Sequence, residues 1–254
     1  MDTRQNSLHL WDDGFLYITP AIRSGLTARS TATVLASVGG QPFTLEAADG
    51  TRTRCSAAVV APHVARRLAV EQGGLLSLNL EPASPSYAAL SRYMGGSGIR
   101  PIDARAFGRL RDSFLPAQCG ALGPSQLHGL GRALVGAITG ARARDSLIDP
   151  RIALVLHTIR THTRQIPLRE LAAMARLSPD RLTHLFSQQV GMSIKRFALW
   201  AKVRRTVAHL GTSQPLTEAA LTGGFADAAH MSRTFQQQFG LQPSFLAGQV
   251  RVTV

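Results

Sequence analysis

The chain has 254 residues, of which 44% are hydrophobic and 17% charged. This composition is typical of one or two packed globular domains and excludes a disordered or collagen-like protein. Two cysteines, Cys55 and Cys119, are too few for a disulfide framework or for a structural zinc site of their own. The sequence has neither an apolar run of membrane-helix length nor a secretory signal at its start, so we expect a cytoplasmic protein without membrane contact.

Positive charge is concentrated in the last part of the chain. The formal net charge is +13, and residues 151–254 contain 13 basic and 4 acidic residues, a net +9. An excess of this size favours a polyanionic partner, most often nucleic acid. Arginine supplies 26 of the 28 basic residues. An arginine-rich proteome therefore remains the alternative explanation of the charge.

The first part of the chain predicts an antiparallel β domain over residues 1–84. Short apolar stretches recur at a spacing of roughly ten residues, with glycine turns between them, as in a sandwich or barrel. The stretches are 15–18, 33–38, 43–45, 57–60 and 75–80.

From Pro85 the spacing of apolar residues becomes helical and predicts three helices. Their apolar stripes are Tyr87, Leu90, Tyr93 and Met94, then Phe107, Leu110, Phe114 and Leu115, then Leu127, Leu130, Leu134, Ala137 and Ile138. The third stripe fits either intradomain core or a dimer interface. A polar segment over 141–150 predicts the domain boundary. Asp149 and Pro150 are suited to begin a helix that runs to about His162, with Ile152, Val155, Leu156 and Ile159 buried.

The basic part of the chain contains an internal repeat. The segment PLRELA at 167–172 recurs 48 residues later as PLTEAA at 215–220, and after one inserted residue Phe186 pairs with Phe235. Each copy is read as a short helix, a tight turn and a second helix, which is the pattern of a helix-turn-helix unit. We place the two units at about 168–189 and 216–238.

Apolar spacing assigns an inner and an outer face to these helices. The predicted buried residues are Leu168, Leu171, Ala172, Ala175, Leu182, Leu185, Phe186 and Val190 in the first unit, and Met231, Phe235 and Phe239 in the second. Ser178 is placed to cap the second helix, and Pro179 to occupy its first turn. The outer faces are polar, as a helix that enters a major groove requires.

One helix, from Ser193 to Leu210, is predicted to join the units. Its inward side chains are Ile194, Phe197, Ala198, Ala201 and Leu210, and its outward basic side chains are Lys195, Arg196, Lys202, Arg204 and Arg205. Eighteen residues span about 27 Å as a helix. With the width of the flanking units, this length is compatible with recognition helices about one DNA turn apart.

These residues resemble the DNA-binding domain of the AraC/XylS family of bacterial transcription regulators. The similarity extends over the last 100 residues and is carried by Leu171-Ala172, Ser178-Pro179, Leu182, Leu185-Phe186, Gly191, Glu218, Ala220, Gly224-Phe225, Ser232-Arg233, Phe235, Phe239-Gly240 and Pro243-Ser244-Phe245. Family members usually have Arg, Ala and an aromatic residue where this chain has Lys202, Thr206 and Met231.

The resemblance implies roles for the outer faces. The helices at 180–189 and 228–238 would occupy successive major grooves of double-stranded DNA. Base contacts would come from Asp180, Arg181, Thr183, His184, His230, Ser232 and Arg233, whereas Ala228 and Ala229 cannot donate hydrogen bonds. Phosphate contacts would come from helix N-termini and from Lys195, Arg196, Lys202, Arg204 and Arg205.

The same resemblance implies an α+β architecture. A cupin-like β domain at 1–84 would bind a small-molecule effector, a helical dimerisation region and linker would occupy 85–145, and an all-α DNA-binding domain of two helix-turn-helix units and a linker helix would occupy 150–250. It also implies a homodimer, with RNA polymerase as a further partner. The sequence identifies no effector-binding residue. His63 is the one histidine near a cupin metal position, and a single histidine makes no metal site, so we expect it to be a strand-end residue.

No catalytic motif is recognisable, and we predict neither an enzyme nor a bound cofactor or metal. Two functions remain. One is a sequence-specific transcription regulator controlled by an effector. The alternative is a cupin-type enzyme with an appended nucleic-acid-binding module.

Overall fold

The computed structural model describes residues 6–11, 13–81, 84–140, 148–210, 215–239, 242–244 and 250–253. The chain divides into two compact units: a β unit of residues 1–144 with 235–254, and a helical unit of residues 145–234. Residues 141–147 of the boundary segment predicted at 141–150, and the motif residues Gly240 and Phe245, lie outside the described residues. The α+β class is confirmed.

The β unit contains two sheets. Their strands are β1 (Asn6–Trp11), β2 (Gly14–Thr19), β3 (Ile22–Arg23), β4 (Ala32–Ser37), β5 (Phe43–Ala47), β6 (Arg52–Cys55), β7 (Ala57–Val60), β8 (Arg66–Val70), β9 (Leu75–Leu80), β10 (Ile99–Pro101) and β11 (Val250–Thr253). The larger sheet has the order β10-β7-β4-β9-β2-β1-β11 and the smaller β3-β8-β5-β6. Neighbours pair antiparallel, apart from β1 and β11, which are parallel.

Alternation along the strands separates two apolar layers. Leu35, Phe43 and Val60 belong to a cluster between the sheets. The neighbouring residues Val34 and Val59 belong to a second cluster, which lies under the helices of this unit. Successive strand side chains point to opposite faces, so both faces of the larger sheet are buried.

Helices α1 (Pro85–Met94), α2 (Phe114–Gln118) and α3 (Pro124–Thr139) cover the larger sheet. Leu127, Leu130 and Leu134 of α3 are buried within the unit, which confirms the core alternative for that stripe. Residues Ala104–Ser113 form a 3₁₀ segment with a kink at Gly108. The prediction that Leu115 is buried is wrong, since its side chain is 52% exposed. Leu115 lies in α2, a helix of five residues whose buried side is formed by Phe114, Ala117 and Gln118.

The helical unit contains α4 (Pro150–Thr161), α5 (Leu168–Met174), α6 (Pro179–Val190), α7 (Ile194–Leu210), α8 (Leu216–Gly223) and the start of α9 (Ala228–Phe239). The Asp149 carboxylate accepts the Arg151 N–H at 2.9 Å and caps α4, as predicted. The four apolar residues predicted for the buried side of α4 are all buried.

Packing inside this unit departs from the predicted faces at a few positions. Leu168 is 40% exposed, and Leu185, Ile194 and Ala198 are only partly buried. Trp200, Val203 and Val207 of α7 are buried without having been predicted to be. Because α4, α6 and α8 all contact α7, this helix buries a wider surface than one stripe provides. The side chain of Phe239 lies outside the described part of the chain.

Candidate nucleic-acid interface

The first helix pair is built as its sequence predicts. The Ser178 hydroxyl accepts the Arg181 N–H at 3.2 Å, Pro179 lies at the start of α6, and the helix ends at Gly191 with φ of 76°. Arg176 also has positive φ, 52°, in the turn between α5 and α6. The cap and the glycine satisfy backbone groups at both ends of α6, which fixes the length of its outer face.

The outer face of α6 contains the predicted base-contacting residues. Leu182, Phe186 and Val190 are fully buried, and Asp180, Arg181, Thr183 and His184 are exposed. The Thr183 hydroxyl donates to the Pro179 carbonyl at 2.9 Å, which leaves its oxygen lone pairs as acceptors.

The second pair repeats this construction with a different cap. The Asp227 carboxylate accepts the His230 N–H at 2.6 Å, and the rings of Phe225 and His230 meet edge to face with centroids 5.3 Å apart. Asp227 was not predicted to be a cap, although aspartate directly before an amphipathic helix is the usual signal. The arrangement fixes the exposed His230 at the first turn of α9.

Further along α9, the other two predicted contacts differ in exposure. Arg233 is exposed, whereas Ser232 is partly buried and its hydroxyl donates to the Ala228 carbonyl at 2.8 Å. Met231 and Phe235 are buried as predicted. Arg233 is therefore the charged group that α9 presents to solvent.

The basic residues of α7 are not equivalent. Lys195 is exposed, as predicted. The other four basic residues predicted to point outward are partly buried: Arg196, Lys202, Arg204 and Arg205. Nη1 of Arg205 donates to the carbonyls of Ile159 and Arg160, both at 3.2 Å, and burial lowers the pKa of Arg205. A cation is favourable at a helix C-terminus, so Arg205 ties α7 to the end of α4.

Thr183 of α6 and His230 of α9 line the same cavity in the helical unit, together with Lys195 and Lys202 of α7. One residue from the outer face of each helix therefore borders a common space. The remaining predicted base-contacting residues, Asp180, Arg181, His184, Ser232 and Arg233, do not line this cavity.

This geometry agrees with the sequence comparisons. A family model described as a helix-turn-helix domain matches residues 171–248. Over 74 residues the chain is 36% identical to the arabinose operon regulatory proteins of Salmonella typhimurium and Escherichia coli. Residues 171–248 are a helix-turn-helix domain, and the chain resembles the arabinose operon regulatory proteins over a segment of similar length.

The matched segment is limited in length. It is 28% of this chain and 26% of the Salmonella protein, so the chain spans about a quarter of the curated relatives it matches.

Solved structures extend the similarity of fold to the β unit. ToxT from Vibrio cholerae O395 has a TM-score of 0.54 and 9% sequence identity, covering 92% of this chain and 98% of ToxT. At this identity the similarity shows the fold alone: a β domain together with a helical domain.

A buried polar cluster lies inside the β unit, where the sequence had identified no effector-binding residue. Oδ1 of Asn79 accepts hydrogen bonds from Arg29 Nη1 and Thr33 Oγ1, both at 3.0 Å, and from Thr31 Oγ1 at 3.4 Å. Nη2 of Arg66 donates to Thr33 Oγ1 at 3.4 Å. The signal that was missed is two arginines next to apolar strands, which are rarely buried without a polar partner.

Burial governs the electrostatics of this cluster. Loss of water lowers the pKa of Arg29 to about 9, with the Arg66 charge as the second cause, and lowers the pKa of Arg66 to about 10. Two cationic groups that lie together away from water attract an electronegative group strongly.

His63, the histidine near a cupin metal position, is among the described residues. His63 lies in a turn after β7 with φ of 63°, and its N–H donates to the Arg29 carbonyl at 2.6 Å. Within the described residues, no three or more His, Cys, Asp or Glu side chains form a group that could hold a metal ion. The helices of the described ranges include none that is long and apolar enough to span a membrane.

Proposed function

We propose that this chain is a sequence-specific, DNA-binding transcription regulator that responds to a small-molecule effector. The observation that carries the proposal is that Thr183 and His230, from the outer faces of α6 and α9, line one cavity. Two helices whose outer faces border a common space can enter neighbouring major grooves of one duplex. The net charge of +9 over residues 151–254 and the match of residues 171–248 support a nucleic-acid partner.

Within this proposal the two sets of side chains have different tasks. Asp180, Arg181, Thr183, His184, His230, Ser232 and Arg233 contact base edges. Lys195, Arg196, Lys202, Arg204 and Arg205 contact or neutralise phosphates and set the register. Arg205 acts mainly by fixing α7 against α4, because its guanidinium already binds two carbonyls.

The effector site is proposed at the polar end of the β-unit interior, around Arg66, Asn79 and Thr33. All three residues are buried, and the hydrogen bonds that Arg66 donates to the Thr33 hydroxyl and to the Val64 carbonyl are long, at 3.4 Å. Binding of the effector would change the relative stability of two DNA-binding states. The regulator is further proposed to be cytoplasmic, to act as a homodimer on paired half-sites and to contact RNA polymerase.

A cupin-type enzyme with a nucleic-acid module is not favoured, because the chain matches a helix-turn-helix model and resembles the arabinose operon regulatory proteins. Measuring binding of the full chain to the promoter beside its gene, over a range of salt concentrations, tests the proposal. With Z phosphates neutralised, log K should fall against log salt with a slope of about −0.9Z. Binding that shows no such slope and no preference over unrelated DNA contradicts it.

A further inference from the structure

A cavity of about 680 Å³ lies wholly within the helical unit. Its walls come from the end of α4, the segment 162–168, α5 and α7, with Thr183 of α6 and His230 of α9 at its edge. This volume falls in the range of about 300–1,000 Å³ that is typical of small-molecule sites. The helical unit therefore contains a candidate ligand site of its own, besides the one proposed in the β unit.

Seven of the described residues that line the cavity have apolar side chains. They are Ile159, Ile166, Leu168, Leu171, Ile194, Ala198 and Leu199. Leu168 is 40% exposed at the first turn of α5 although the apolar spacing predicts it to be buried. Phosphates of DNA cannot cover such a surface favourably, because apolar surface is favourably removed from water only when another apolar group packs against it. The walls therefore suit a hydrocarbon chain.

The rim of the cavity is cationic. Arg164, Lys195, Arg196, Lys202 and Arg205 line it, and the described lining residues include no Asp or Glu. Arg164 already holds one carboxylate in bidentate fashion, since its Nη2 and Nη1 donate to Glu170 Oε1 and Oε2 at 2.6 and 3.3 Å. The fork of a guanidinium matches the two oxygens of a carboxylate. An anionic head group of this kind is complementary to the rim.

We propose that this cavity binds a single-chain amphipathic carboxylate, with the chain against the apolar walls of α5 and α7 and the head group at the basic rim. Because Thr183 and His230 belong to the same cavity, the bound carboxylate and DNA exclude one another. The exclusion of DNA rests on the proposed function, whereas binding of the carboxylate does not.

The first experiment measures binding of dodecanoate, below its micelle concentration, to the full chain by titration calorimetry. Dodecanol and dodecyltrimethylammonium have the same chain with a neutral or a cationic head group. Saturable binding of dodecanoate and at least about tenfold weaker binding of the other two are expected. Equal binding of all three, or no binding of dodecanoate, overturns the proposal.

A matched pair of variants locates the site. Leu168→Asp places a negative charge on the cavity wall, whereas Leu154→Asp places one on α4 at a leucine that is 44% exposed and does not line the cavity. Leu168→Asp should weaken dodecanoate binding by about tenfold or more, and Leu154→Asp should leave it unchanged. Aspartate is favourable in the first turn of a helix, so Leu168→Asp should fold. Equal affinity of the two variants for dodecanoate would place the ligand elsewhere and overturn the proposal.

The exclusion of DNA is tested with an unrelated duplex at low salt, which requires no knowledge of the operator. Dodecanoate should raise the Kd of the unmodified chain and of Leu154→Asp for this duplex, and leave that of Leu168→Asp unchanged. Failure of all three proteins to bind DNA without dodecanoate contradicts the proposed function and leaves the calorimetric result standing. DNA binding that dodecanoate does not affect overturns the exclusion.

Discussion

Thr206 on α7 lies so close to Gly223 on α8 that position 223 has no room for a β-carbon. A carbon added there would overlap the Thr206 hydroxyl and would lie 2.9 Å from Thr206 Cβ and 3.1 Å from its Cα. The AraC/XylS resemblance leads one to expect alanine at 206. The larger threonine of this chain is therefore accommodated by a glycine on the neighbouring helix, and the two residues are coupled.

Gly223→Ala should destabilise the helical unit by about 1–3 kcal/mol, the usual cost of overpacking. Gly223→Ala combined with Thr206→Ala should recover most of that loss, since the threonine side chain is the main obstacle. Thermal unfolding of the single and double variants measures a coupling energy, expected at about 0.5–3 kcal/mol. Additive effects of the two substitutions would show that the contact is not the cause.

Gly129→Ala is the matched control for this cycle. Gly129 lies inside α3, where an added β-carbon meets no atom within 4 Å. The substitution should therefore stabilise the chain by about 0.5–1 kcal/mol through helix propensity alone. Destabilisation by Gly129→Ala would mean that an added β-carbon is unfavourable even without a close contact, and the loss at Gly223 could then not be assigned to Thr206.

Asn79 and Arg66 should respond in opposite directions to apolar replacement. Asn79→Leu removes the acceptor shared by Arg29, Thr31 and Thr33, and should lower the free energy of unfolding by about 1–3 kcal/mol. Arg66→Met removes a buried charge whose contacts are long, and should leave the stability of the protein unchanged or raise it.

Urea unfolding of both variants, with Ser77→Ala as a control for loss of a small polar group next to Asn79, measures the difference. Arg66→Met should at the same time remove any effect of effector on DNA binding if the effector site lies at this end of the interior. An effector response that survives Arg66→Met places the site elsewhere.

Stability of the helical unit should depend on Asp149 at low pH. Hydrogen bonds from Arg151 hold the pKa of Asp149 at about 2, below its ordinary value of 3.8. A lowered pKa in the folded state stabilises the fold above pH 3.8, and this contribution disappears as the pH falls to about 2.

Asp149→Ala should therefore unfold at a lower temperature than the unmodified chain at neutral pH, and the difference should shrink between pH 4 and pH 2. Asp149→Asn keeps a side chain that can cap α4 and isolates the contribution of charge. A difference that stays constant down to pH 2 would contradict the role given to ionised Asp149.

The two classes of predicted DNA contact should be separable by salt and by sequence. Arg233→Ala should cost about 1–3 kcal/mol at one base pair, because a bidentate arginine discriminates guanine, and should relax specificity there. Lys195→Gln should weaken binding to all sequences and reduce the salt slope by about one. Footprints on mutated operators that are unchanged by Arg233→Ala would refute the base contact.

Local signals were sufficient for much of the fold. The Asp149-Pro150 pair, the Ser178-Pro179 pair and Gly191 located helix ends because capping involves only neighbouring residues. Strands β2, β4, β5, β7 and β9 were found because each is a short apolar run between turn residues.

The remaining features depend on contacts distant in sequence. The alternating residues of Val250–Thr253 are typical of a strand, but the pairing of β11 with β1 spans most of the chain and has no local signal. Trp200 and Val203 are buried because several helices surround α7, which one helical stripe does not reveal. The exposed residues of the candidate nucleic-acid interface on α6 and α9 could be predicted from the spacing of apolar residues. The apolar cavity beside Thr183 and His230 could not, since it exists only where α5 and α7 come together.

The chain has just two lysines, Lys195 and Lys202, and both line this cavity. All its other basic side chains apart from histidine are arginines, which acylating reagents that modify amines leave intact. A succinimidyl ester would therefore attach a fluorophore or a crosslinker to α7 and to the terminal α-amino group alone. Because both lysines of the chain lie on α7, this helix can be labelled selectively without an engineered cysteine.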